Sequence, residues 1–120
     1  MRVLDLISVI KQGLNFTFYP NTIPATAAPD CATVSLTGGA ASNSQITRPA
    51  FQVLLRATHP GEGEAKAWEI YNFMHQKRDF DVGTTHVIFC TAAQSTPLYI
   101  GTDENGRHLY SINFRTLCEA

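Results

Sequence analysis

The sequence predicts an α+β fold: a mainly antiparallel β-sheet with two helices packed on one face and a long flexible hairpin loop. Three observations carry this. An apolar helical period opens the chain, a second one sits at its middle, and the segments between and after them alternate polar with apolar residues as half-buried strands do. With 120 residues the chain can enclose one sizeable core, so residues 1–120 read as a single domain.

Val3, Leu4, Leu6, Ile7, Ile10 and Leu14 fall within one arc of a helical wheel, with Arg2, Asp5, Ser8 and Gln12 opposite. That pattern predicts an amphipathic first helix, ending near Gly13, where a left-handed residue can close it. The stretch "NFTFYPNTIPATAAPD" alternates briefly and is broken by Pro20, Pro24 and Pro29, which suits an edge strand and a winding loop. In "CATVSL", Ala32, Val34 and Leu36 share one face, and Thr33 and Ser35 share the other. Phe51, Val53, Leu55 and Ala57 repeat the pattern against Gln52, Leu54 and Arg56, so the two strands pair as a hairpin with residues 37–47 as its arm. "HPGEGE" ends the second strand and puts Glu62 and Glu64 at the amino end of the next helix, where the helix dipole favours negative charge. This second helix is predicted from about Glu64 to Arg78, with Ala67, Ile70, Tyr71 and Met74 facing inward, Trp68 at the margin and Phe73 on the polar arc. Asp79 and Asp81 then read as a loop. Strands come next from Thr85, Pro97 and His108, the last two joined through Asn105-Gly106, a pair that tolerates positive φ.

A net charge of -1 with no basic run gives no field to hold a polyanion, so no nucleic-acid specificity is expected. Asp5 and Lys11 interrupt the apolar opening, which fits neither a signal peptide nor a membrane span. Cys31, Cys90 and Cys118 are odd in number and lack CxxC spacing, as suits free thiols in a reducing compartment. "TGGAAS" comes after a strand, but it lacks the Lys-Ser/Thr pair of a phosphate loop and leads into another strand instead of a helix. His59, His75, His86 and His108 show no zinc-ligand spacing. His86 and Cys90 stand four apart on one face of a strand, where a core thiol beside a polar edge residue is the simpler reading. No catalytic residue, metal ligand or cofactor is therefore assigned. A small-ligand binder or enzyme with a pocket between the second helix and the sheet, built from His86, Cys90 or His108, is the competing class, and spacing supplies no convergent polar groups for it.

Two features remain. One is the soft segment, longer than the connections usual in compact domains, whose bland alternative is a tip with no partner. The other is the polar sheet face of Thr33, Ser35, Gln52, Arg56, Ser111, Asn113 and Arg115, which would align if the three strands share one sheet and which is also how a solvated face looks. The candidate interface residues are Gly38, Gly39, Ser42 and Asn43 in the soft segment, Arg48 at its base, and Phe73, an aromatic on a polar arc that calls for cover.

Together, the amphipathic opening helix, the Pro-rich crossing, "GGAASNSQITRPAFQVLLRA", "EAKAWEIYNFM" and "GRHLYSINFRTLCEA" resemble the small tail terminator and minor capsid proteins of tailed bacteriophages. The resemblance covers most of the chain. It implies a non-enzymatic structural protein of the virion, present in the host cytoplasm during assembly. As the resemblance has it, the chain associates with itself as a ring, commonly a hexamer, caps the tail tube protein and later meets the head connector protein in head-tail joining, with no membrane partner. A hairpin arm over residues 37–47 would order against the tube or an adjacent subunit.

Overall fold

In a computed structural model that describes residues 1–41 and 45–120, the opening apolar period forms α1 (Val3–Ile10), which buries Leu6, Ile7, Val9 and Ile10. Turns carry the chain on through Gly13. Gly13 is not among the glycines with positive φ, so a left-handed cap is not its role. A Cβ there would overlap the ring of Phe73, and it is this close approach that favours glycine.

β1 (Phe18–Pro20) runs parallel to β2 (Cys31–Leu36) at one edge of the sheet, where Pro20's missing N–H costs no ladder bond. β2 is antiparallel to β4 (Ala50–Ala57), with Val34 opposite Val53 and Leu36 opposite Phe51. The expected pairing of these two strands forms. Their faces differ in detail from the alternation: Cys31 and Thr33 are buried while Leu36 is 39% exposed.

The spine of the sheet is β8 (His108–Glu119). On one side it pairs in a single unbroken register with β3 (Ile46–Thr47) and β4, from Ile46 opposite Glu119 to Ala57 opposite His108. On the other side it pairs with β6 (Thr85–Ala92) near its carboxyl end and with β7 (Leu98–Thr102) near its amino end. β7 and β8 are joined by the predicted turn, in which Asp103 Oδ1 accepts the N–H groups of Asn105 and Arg107 at 2.9 Å. Gly106 alone of the Asn-Gly pair takes a positive φ, 74°.

The second helix, α2 (Pro60–Met74), is shifted from its predicted span. Pro60 opens it, as suits a residue with fixed φ and no donor. It stops at Met74 because His75 is extended (ψ 128°) and Gln76 is left-handed (φ 62°). The chain then enters β5 (Lys77–Val82), an edge strand against β6, where the sequence suggests the helix end and a loop. "KRDFDV" carries four charges, so its alternation is hidden; charge is also what keeps an edge strand from pairing further.

Both helices lie on one face of the sheet. Beneath them Phe51 stacks on its cross-strand partner Phe114 (centroids 4.9 Å, 23° between planes). Leu55, Val53 and Ile112 continue this buried layer, each burial stabilising by roughly 1.5–3 kcal/mol. Gly63 allows α2 to sit close, since a Cβ there would stand 2.8 Å from Ala57 Cβ and 3.0 Å from Tyr110 Cε2. Tyr110 Oη donates to Pro60 O at 3.0 Å and ties the same corner.

The opposite face aligns as expected, with Ser35, Gln52 and Asn113 in one row of β2, β4 and β8. It is less wet than its composition suggests. Thr33, Arg56 and Ser111 are buried; Arg56 Nε and Nη2 donate to the carbonyls of Pro29 (2.9 Å) and Ala28 (2.8 Å), so the Pro-rich crossing folds over this face. Gln52 Nε2 and Asn113 Nδ2 both donate to Ser111 Oγ, at 2.8 and 3.1 Å.

Candidate functional site

Past Leu36 the hairpin ladder continues, with Thr37 N–H donating to Ala50 O at 2.8 Å and Ala40 bridging Arg48. Between those contacts Gly38 and Gly39 face the single residue Pro49, which makes a β-bulge. Both glycines take positive φ, 91° and 89°, a region L side chains rarely occupy. Gly39 has a second constraint: a Cβ on it would overlap the Arg48 carbonyl oxygen and stand 2.8 Å from Ala50 N. Pro49 has no donor for the bulge, but on its other side its carbonyl accepts both the N–H (2.9 Å) and the hydroxyl (2.7 Å) of Thr116.

The arm read at 37–47 is thus held to the sheet on both flanks. Thr37 and Ala40 bond on one side; on the other, Ile46 and Thr47 pair with β8, and Gln45 O accepts the Ala120 N–H at 3.0 Å. Ser42 and Asn43 lie outside the described residues.

The bulge opens a groove of about 420 Å³ lined by Gly39, Ala40, Arg48, Ala50, Arg115 and Thr116. Three small residues leave its floor open, and two guanidiniums supply its charge. Arg115 sits opposite Ala50, so Arg48, two residues before Ala50, is its diagonal neighbour at about 7–8 Å between Cα atoms. Both arginines are exposed, and among the described residues neither forms an ion pair. Two of the predicted interface residues, Gly39 and Arg48, therefore meet in one place, and Gly38 adjoins them. Arg115 is legible in the sequence as part of the polar face but not as Arg48's neighbour, because 67 residues separate the two in the chain.

Phe73 is elsewhere, and its cover comes from within the chain. Its ring lies over Gly13, Lys77 Nζ stands 4.5 Å from its centroid, and it packs half-buried against the core. The cover that its place on the polar arc calls for is supplied in part by Lys77, which β5 returns over it.

His86, Cys90 and His108 do not converge. The β6 ladder shifts register between Val87 and Phe89, and this bulge puts His86 and Cys90 on opposite faces, correcting the same-face reading. Cys90 is buried under the helices, and burial pushes its thiol up to about 12. His86 bonds Asp81 Oδ1 through Nδ1 at 2.8 Å with Asp79 3.7 Å from Nε2, and the Asp81 bond holds its pKa above the ordinary value. His108 Nδ1 bonds Tyr99 Oη at 2.9 Å. Among the described residues no cluster of three His, Cys, Asp or Glu groups could hold a metal ion, and no helix is long and apolar enough to cross a membrane. One further exposed feature is β7, an edge strand whose Leu98, Tyr99 and Ile100 are 37, 53 and 53% exposed.

Compared with known families, residues 4–119 match the one described as "Bacteriophage tail terminator protein". No curated protein matches the chain.

Proposed function

The chain belongs to the bacteriophage tail terminator family, which makes it a structural protein of the phage tail, and on that premise we propose that it caps the tail tube as a ring. The ring, a hexamer, stops tube growth, remains in the virion, and then receives the head connector, so that tail completion and head-tail joining use its two faces. Assembly takes place in the host cytoplasm.

The observation that carries this reading is the extent of the family match, from the second residue of α1 to the last residue of β8. The geometry is compatible with it: the sheet and its helices supply a rigid body, and Gly38, Gly39 and Arg48 at the hairpin present a shaped, charged surface suited to contact with the tube or an adjacent subunit. No covalent chemistry is needed, since closure of a ring requires only that one patch of each subunit fit a different patch of the next.

Electron microscopy of particles produced without this protein tests the proposal. Tails of uncontrolled length, or heads left without tails, are expected. Normal-length tails joined to heads would overturn it.

A further inference from the structure

We propose that the Arg48/Arg115 groove is a socket for carboxylates, and that its occupants are Glu62 and Glu69 on α2 of a second copy of the chain. This rests on the ring reading above and names the two patches that would meet in it.

A pair of guanidiniums at the spacing of diagonal sheet neighbours, above a floor of Gly39, Ala40 and Ala50, can hold two carboxylates with forked hydrogen bonds. Neither arginine has a carboxylate partner among the described residues, although the chain carries ten acidic residues. Their charge is left for a partner.

The complementary patch lies on the other side of the molecule. Glu62 and Glu69 are exposed on α2 and are unpaired among the described residues. Seven residues apart, they fall on one stripe of the helix about 10 Å from each other, within what two long arginine side chains can span. Lys66 lies between them along the helix, but its ammonium is drawn over Phe16, 5.4 Å from the ring centroid, and it pairs with neither carboxylate. Arg115 is flanked in β8 by buried Phe114 and Thr116, and it shares the face of Asn113 and Ser111, away from the helices, whereas the stripe is on the outer side of α2. The two patches cannot meet within one chain. Contact between copies is therefore head to tail, the type that closes into rings.

Complementary charge reversal tests this on the full chain, read by sedimentation velocity and by tail length when the variants complement phage lacking the protein. Arg48→Glu with Arg115→Glu, and separately Glu62→Arg with Glu69→Arg, should each weaken self-association at least about tenfold and give tails of uncontrolled length. Mixing the two variants should restore association and normal tails, because each groove then faces a helix of opposite charge. Glu64→Arg, an exposed change on another arc of α2, should have no effect. Variants that assemble like the parent, or a mixture that stays dissociated while both chains remain folded, would overturn the socket and leave the ring reading standing. A parent chain that neither associates in solution nor is required for tail length would overturn both.

Discussion

Arg56 pins the Pro-rich crossing to the sheet, and replacing it should show how much of the fold depends on that contact. It is 9% exposed, and its guanidinium donates at 2.9 Å to Pro29 O and at 2.8 Å to Ala28 O, with Asp103 Oδ2 3.9 Å from Nη1. Arg56→Met keeps most of the volume and removes the donors. Two hydrogen bonds from a charged group contribute about 1.5–3 kcal/mol each. Part of that is offset because a methionine carries no desolvation cost, so the net loss should be about 2–4 kcal/mol. In urea unfolding at low protein concentration this lowers the midpoint by about 1–2 M at an m-value of about 2 kcal/mol/M. Arg56→Lys, which keeps the charge but not the fork, should fall between the parent and Arg56→Met. A loss under about 1 kcal/mol for Arg56→Met would show that the crossing is held by its other contacts, and Arg56 would not be its pin.

Gly38→Ala and Gly39→Ala share the cost of a positive φ, about 1 kcal/mol, but only at Gly39 does the new Cβ meet backbone. Gly39→Ala should therefore cost at least about 1 kcal/mol more in the same unfolding assay, and equal losses would refute the close approach. Gly13→Val should displace the Phe73 ring and cost about 1–3 kcal/mol, visible as a shift of the Phe73 aromatic resonances; unperturbed resonances would count against that packing. Cys90 should resist a thiol reagent at about pH 8 until denaturant is added, since burial pushes its pKa to about 12; rapid labelling of the native chain would contradict its placement. By NMR, His86 should titrate above the ordinary imidazole value and Asp81→Asn should bring it down. The raised pKa means the charged pair favours the folded state below the unfolded histidine pKa, and that contribution is lost as pH rises through the folded value. An unchanged titration in Asp81→Asn would remove the Asp81 bond as its cause.

Much of this fold is legible in the sequence where one face is wet and the other dry. Val34 stands between Thr33 and Ser35, and Phe51 and Val53 flank Gln52, and these apolar positions of β2 and β4 are buried. Legibility fails where that contrast is missing. β5 is an edge strand whose charged residues mask its period, so the helical reading of α2 runs on into it. Ile46 and Thr47 come after a run of small residues, yet they pair because β8 runs on past β4. A bulge is invisible to a strict period of two, which is why the sequence puts His86 and Cys90 on one face. In the groove, Gly39 and Arg48 stand out as local oddities. Arg115 joins them only through strand pairing, which residue order does not specify.

β8 also sets the order of events in folding. It lies between β4 and β6, yet it comes after every other strand in the chain, so the two halves of the sheet have no common neighbour until it is made. Until then the ladder edges of β4, β6 and β7 are open, and apolar strand edges of this kind are where chains aggregate. Closure requires contacts distant in sequence, the slow kind. An overproduced chain should consequently be lost to aggregation before folding more than after it, and slowing synthesis or lowering temperature should raise the soluble yield by shrinking the pool of chains still waiting for their central strand.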